Sequence, residues 1–204
     1  MHAAVCARSG QLVTLLIVAM GLSACGNDDI ENIPVADAAD DIGISGSVGD
    51  GPIVGATVSV NSADGSVLYT TVSDDSANYK VTGRIKRKDY PLHVSVDDGT
   101  DLVTGGRPDF KLAAVVNQRG GSRTANLNPQ STFVKEIAGN MPGGLNGENL
   151  TAARSIVLEQ LSFGLDTSAV PDPASTRIDG SNVTTIVRAS EALGEAVRRV
   201  RDRL

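Results

Sequence analysis

Tryptophan is absent from the 204-residue chain, and three tyrosines and three phenylalanines make up its whole aromatic content. Proteins that hold flat ligands or sugars by stacking need exposed rings, so there is little material for such a platform. Cysteine and histidine are equally scarce, at two residues each. Thiolate and imidazole metal centres take several such ligands at fixed spacing, and neither a metal centre nor a redox pair is supported. Positive charge is in deficit: 18 lysines and arginines stand against 24 aspartates and glutamates, for a formal charge of −6. A phosphate backbone requires a face rich in Lys and Arg, which excludes nucleic acid as the main partner. No apolar run reaches the roughly 20 residues that cross a bilayer as a helix. What the chain does have is glycine, 22 residues of it, with 41% hydrophobic side chains, most of them small. At roughly 100–200 residues per domain, this is a turn-rich chain of one domain or two small ones with a shallow core.

The amino terminus reads as an address. Residues 1–11 carry one firm positive charge, Arg8, and residues 12–22 form an apolar run of the length of a secretory h-region. The following Leu22-Ser23-Ala24-Cys25 resembles the lipobox of bacterial lipoproteins. The resemblance implies that residues 1–24 are a signal peptide, and that Cys25 is diacylated and becomes the first residue of the processed chain. Cys6 then leaves with the leader, so that no thiol or disulfide remains, which suits an oxidising envelope. Gly26 stands where an aspartate would signal inner-membrane retention, so the outer membrane is favoured. Residues 25–42 carry six acidic residues and no basic one. Low hydrophobicity with like charges predicts an extended, solvated tether. Its carboxylates lack the spacing of a calcium loop.

Residues 43–128 alternate in short runs between turn residues. Strands are predicted at 44–48, 53–60, 67–72, 79–81, 90–96, 110–116 and 123–127, with Ala56, Val58 and Val60 sharing one face. Seven short strands with regular turn signals indicate an antiparallel β-sandwich. The order Gly46-x-Val48, Asp50-Gly51-Pro52, Gly55-Ala56-x-Val58, Asp64-Gly65, Thr71-x-Ser73-Asp74 and Asn78-Tyr79 resembles the carboxypeptidase regulatory-like family over residues 44–96. The resemblance implies a sandwich close to transthyretin in architecture. The family's signature consists of turns and core, so no catalytic residue carries over. Ala77 stands where the family often has glycine, which predicts a different turn there.

Beyond Leu127 the period changes. Asn128-Pro129 is a capping residue followed by proline at the first helical position, and Phe133, Val134, Ile137 and Ala138 form the stripe of a short helix that stops at Gly139. Leu150, Ala153, Val157, Leu158 and Leu161 predict a second helix. A third is predicted from residue 182 to 204, with Ile186, Leu193 and Val200 beside Ser190, Val197 and Leu204, packed on the other helices or on a partner helix. The fold class is therefore α+β: a seven-stranded sandwich at 43–128 followed by a helical region at 129–204, whose pattern still runs at Leu204 and predicts a truncated bundle. Arg198, Arg199, Arg201 and Arg203 read as a solvated helix end, favourable against the dipole, with anionic headgroups as the alternative partner.

Candidates for chemistry are few. His93 is the one histidine after the leader and reads as an ordinary strand side chain; catalytic triads need a base bonded to a nucleophile. Asp74-Asp75 and Asp97-Asp98 read as turn formers, and Asn149 and Asn182, although in glycosylation-like triplets, suit helix starts. No catalytic, cofactor-binding or metal-binding residue is expected; Cys25, as a lipidation site, is the one site residue. The expectation is a non-enzymatic lipoprotein of the cell envelope acting as a structural or interaction module. Its partners would be the membrane through Cys25 and a protein or polysaccharide. The alternatives are a carbohydrate-binding accessory module and the N-terminal part of a larger envelope enzyme.

Overall fold

Short alternating runs and two changes of period decide the element order. The structure, a computed structural model, describes residues 37–109 and 111–204. The strands are β1 (Ala39–Ser47), β2 (Ile53–Val54), β3 (Thr57–Asn61), β4 (Val67–Val72), β5 (Asn78–Lys86), β6 (Leu92–Asp97), β7 (Thr100–Asp101), β8 (Leu112–Val116) and β9 (Gly121–Thr124); the helices are α1 (Pro129–Asn140), α2 (Gly147–Gln160) and α3 (Val183–Arg201). The protein is thus mixed α+β. Among the described residues no helix is long and apolar enough to cross a membrane.

The strands form three sheets rather than the single seven-stranded antiparallel pattern expected. One has the order β5-β1-β9, a second β4-β3-β6-β8, and a third pairs β2 with β7. The count rises from seven to nine because the run at 53–60 is split in two and because β7 is an additional short strand. Gly55, with φ at +66°, turns the chain inside the run read as one strand at 53–60. Ile53-Val54 consequently pairs with β7, and β3 starts afresh at Thr57. The expected strand at 123–127 is also cut short: β9 runs parallel to β1, and beyond it only a Val48–Leu127 bridge continues the pairing.

A further correction concerns the tether. β1 starts at Ala39, inside the segment read as solvated, and pairs antiparallel with β5 from Ala39–Lys86 to Ser47–Asn78. Asp37, Asp40 and Asp41 meet Lys86, Arg87 and Arg84 at 3.3, 3.4 and 3.3 Å. These three of the six acidic residues find their counterions on β5 and in the turn after it, and Ile42 is buried in the core.

Alternation along these strands builds one apolar cluster shared by the two larger sheets: Ile42 and Ile44 of β1 and Ile85 of β5 pack with Val58 of β3, Val94 of β6 and Leu112 of β8. Tyr79 sits within it, its hydroxyl donating to the Ala125 carbonyl at 2.5 Å, and burial pushes its phenol well above the usual range. The free edge of β8 is covered by α1: the Ala113 N–H donates to Thr132 Oγ1 and the Ser131 hydroxyl to the Ala113 carbonyl, at 2.9 and 2.8 Å. Asn128 caps that helix with a reciprocal pair of bonds to Ser131.

In the turn between β4 and β5 alanine does not bring the departure from a glycine-type turn that its presence predicts: Ala77 has φ at +56°, a left-handed backbone, and is buried. Its backbone is locked because Asp74 Oδ1 accepts from the Ser76 and Asn78 N–H groups, both at 2.9 Å. Left-handed backbone costs a residue with Cβ about 1–2 kcal/mol, more than the roughly 0.5–1 kcal/mol of entropy that glycine adds to the unfolded chain. Because the change also deletes a buried methyl worth about 0.8 kcal/mol, Ala77→Gly is expected to shift stability by no more than about 0.5 kcal/mol in urea denaturation. In contrast, Ala152→Gly, at an exposed helical position of α2, is expected to lose about 1 kcal/mol.

Candidate functional site

The linker between α2 and α3 is rich in Ser, Asp and Pro; Leu165 and Val170 bury it against α3, and hydrogen bonds pin it further. Asn126, buried, donates through Nδ2 to the Pro173 and Thr176 carbonyls at 3.1 and 2.7 Å, and its own N–H bonds Ala174 O at 2.8 Å. Asn128 Nδ2 donates to the same Pro173 carbonyl at 2.9 Å. The linker is thereby laid over the end of β1, and two adjoining clefts open between it, α3 and the sheet.

The first cleft, of about 260 Å³, is lined by Val48, Pro52, Ala77, Ile186 and Val187 together with the buried polar Asn128 and Ser190 and with Asp179. The second, of about 560 Å³, runs over hydroxyl and amide groups of Ser45, Thr124 and Asn126, with Asp74, Lys80 and Arg177 along it. Ser47, Asn78 and Ile178 line both.

A charged cluster lies on the other side of the β1–β2 turn. Asp50 and Asp101 are each only 3% exposed. Asp101 accepts from the Val103 N–H and the Thr104 hydroxyl at 2.8 and 2.9 Å. Asp50 Oδ2 meets Arg198 Nη2 of α3 at 2.6 Å, and Arg198 Nε reaches Asp109 at 3.3 Å. Burial pushes the Asp50 carboxyl above its usual range, Arg198 and the Gly51 N–H pulling it down and Asp101 adding to the rise. Burial also raises Glu191, helped by the negative charges of Asp50 and Asp101; its Oε1 is buried without a hydrogen-bond partner. Burial opposes ionisation of Asp109 as well, but hydrogen bonds from Arg198 and Arg201 outweigh it and hold that carboxyl below the usual range. Among the described residues no group of three carboxylate, His or Cys side chains is placed to hold a metal ion. The cluster is built to clamp α3 onto the β1–β2 turn and β7.

For Arg198 alone this corrects the reading of the arginine-rich helix end as solvated; Arg199, Arg201 and Arg203 are exposed, as expected. Arg198 neutralises a buried acid, Arg199 pairs with Glu195 at 2.7 Å, and Arg201 with Asp109 and Asp202, both at 3.1 Å. The apolar stripe of α3 stops short as well: its buried residues run from Ile186 to Gly194, while Val200 and Leu204 are exposed.

The remaining candidates fall in separate places. Cys25 and the leader lie outside the described residues, as does Phe110. His93 is half-buried on β6 between Asn61 and Val115; burial, then the nearby Lys135 charge, lowers its imidazole below the usual range. Among the described residues it makes no hydrogen bond to a hydroxyl, thiol or carboxylate. Asp97 accepts from the Asp98 N–H at 3.1 Å, a turn contact as expected, and Asp98 pairs with Arg107. Asn149 donates to the Pro142 and Gly144 carbonyls at 3.0 and 2.7 Å, and Asn182 to Arg177 O at 2.9 Å. Of the aromatic rings, Tyr79 is in the core, Tyr69 and Tyr90 pack against it, and Phe163 is exposed.

No family model matches the chain, and no curated protein is found to be similar to it.

Several exposed carboxylates are held below their usual range by local bonds. Asp64 is lowered to about 2 by the Ser62 hydroxyl and the Ser66 N–H, and Asp166 and Asp179 by the hydroxyl and N–H of Ser168 and Ser181. A depressed folded-state pKa contributes stability above the unfolded value, near 3.9, and loses it as pH falls through the folded value. Thermal stability is therefore expected to drop between about pH 4 and pH 2. Asp50 and Glu191, being raised, act with the opposite sign and lose stability as pH rises through their folded values. Changing Asp64 to Asn should flatten the acid limb, as followed by melting temperature against pH.

Proposed function

We propose that the chain is a non-enzymatic lipoprotein of the cell envelope, held to a membrane by acyl groups on Cys25 and acting as a binding or structural module. The observation that carries this is the lipobox-like Leu22-Ser23-Ala24-Cys25 directly after the apolar run at 12–22. Several acyl chains, at about 0.8 kcal/mol for each buried methylene, anchor a protein whose described residues include no helix long and apolar enough to span a membrane. The absence of the retention aspartate at Gly26 favours the outer membrane. The folded part is, in this reading, a carboxypeptidase regulatory-like sandwich, the β5-β1-β9 and β4-β3-β6-β8 sheets being its two leaves. Their common apolar cluster supports it. No pair of exposed rings on one sheet face occurs among the described residues, so no observation favours the polysaccharide alternative.

The test is fractionation of cells producing the full chain. Wild-type protein is expected to sediment with membranes and to carry an acyl mass on its first residue, and Cys25→Ser is expected to be almost entirely released or left unprocessed. Soluble wild-type protein with an intact leader and no acyl mass would overturn the proposal.

A further inference from the structure

We infer that the open edge of β4 is a pairing surface for a second copy of this chain. Two β4 strands join antiparallel about a two-fold axis, and the two four-stranded sheets continue into one another. The inference goes beyond the role proposed above and does not depend on the anchor at Cys25.

The backbone names the kind of occupant. β4 ends the β4-β3-β6-β8 sheet and pairs with β3 alone. The Ser73 N–H donates to the Ala56 carbonyl at 2.9 Å. The alternation of an antiparallel ladder then turns Thr71 toward β3, and the N–H and C=O groups of Thr70 and Val72 outward. Among the described residues nothing bonds those four groups, and a row of open donors and acceptors is what an extended strand satisfies.

The other three edges of the two larger sheets are blunted. α1 covers β8. The Tyr69 hydroxyl accepts from the Arg84 N–H at 3.1 Å and donates to its carbonyl at 2.9 Å, which stops the edge of β5, a strand that also carries Lys80, Arg84 and Lys86. β9 is four residues long and contains Arg123. By contrast β4, Val67-Leu68-Tyr69-Thr70-Thr71-Val72, has neither charge nor proline, and Thr70 and Val72 are exposed. The bulge opposite Asn61 disturbs only its first residues; Tyr69 to Val72 pair regularly with Val60 to Thr57.

Self-complementarity selects a second copy. Outward groups can bond only outward groups, so an axis through Thr71 sets Thr70 opposite Val72 of the second copy, and Val72 opposite its Thr70. Both side chains are β-branched and share one face, a favourable cross-strand pair made twice. The acids nearest the edge, Asp64 and Asp74 with Asp75, stand beyond its ends.

The experiment is sedimentation equilibrium of the processed chain carrying Cys25→Ser, in about 0.3 M salt to screen those acids. Its mass is expected to rise to that of a dimer with concentration. Thr70→Pro deletes an N–H that no bond within the chain uses, and by symmetry two bonds of the dimer. It should weaken association at least about tenfold while the melting temperature holds. Val72→Lys, which keeps the backbone intact, should do the same. Thr57→Lys, on β3 and opposite Val72, should leave the dimer in place, which separates edge pairing from stacking of sheet faces. A monomer at every concentration, a dimer indifferent to Thr70→Pro and Val72→Lys, or one broken equally by Thr57→Lys would overturn the inference. So would a monomer whose Thr70 and Val72 amides shift with a synthetic peptide of residues 67–72, which would assign the edge to an extended segment of another protein. Failure of Cys25 to be acylated in cells bears on the anchor proposal alone.

Discussion

Replacing Arg198 with alanine is expected to lower the folding free energy by about 3 kcal/mol, the low end of the range for breaking a buried ion pair by removing one partner. The lower figure applies because the arginine side chain keeps 20% of its exposure while that of Asp50 keeps only 4%. The loss arises mainly from what stays behind: Asp50 beside Asp101 and Glu191, without the guanidinium that offset their charge. Stability should therefore return in part when Asp50→Asn is added, since the double change removes the orphaned charge as well as its partner. Urea denaturation gives the magnitude. Amide exchange locates it, because α3 beyond Gly194 has no buried residue to hold it once the clamp is gone. A loss under about 0.5 kcal/mol would mean that the pair behaves as a screened surface contact.

Gly46→Ala is expected to cost about 3 kcal/mol or more, through collision and not through backbone conformation. A Cβ at Gly46 would lie 2.1 Å from the Ala125 carbonyl oxygen and 2.6 Å from its carbon. Ala125 cannot retreat cheaply: its N–H donates to Ser45 O at 2.8 Å and its carbonyl accepts the Tyr79 hydroxyl. Overpacking a well-filled site usually costs 1–3 kcal/mol, and here the obstacle is backbone held on both sides. Gly43→Ala three residues earlier is the control. Its Cβ would meet only the Thr82 methyl at 3.9 Å, and replacing a strand glycine at an open position is neutral or mildly stabilising. Equal melting temperatures for the two variants would refute the close approach of β1 to residue 125.

Gly46 was visible in the sequence as a motif glycine, but its reason was not, because the atom it accommodates lies 79 positions further along the chain. The same limit explains the tether. Asp40 and Asp41 read as solvating charges until Arg87 and Arg84 are brought alongside by the β1–β5 pairing. It explains the helix end too: Arg198 belongs to Asp50, 148 residues away, and no local pattern marks that partner. The cleft shows the limit most clearly. Lys80 sits on a strand and Arg177 in a polar loop, and nothing in their neighbours predicts a common wall; Asn126, which seats the loop, carried no signal beyond its place near the end of a strand.

What the sequence by itself determined is what depends on neighbours within a few residues. It set the period-two runs of the main strands, the Asn128-Pro129 start of α1, the turn acids Asp74 and Asp97 and the mixed α+β class, because hydrogen bonds and side-chain faces at that range follow from backbone geometry. Only the tertiary structure decided the division into three sheets, the parallel docking of β9, the extension of β1 to Ala39, the clamp around Arg198 and the double cleft. These rest on charges and atoms distant along the chain, whose meeting is set by topology and by the burial that makes their pairing matter.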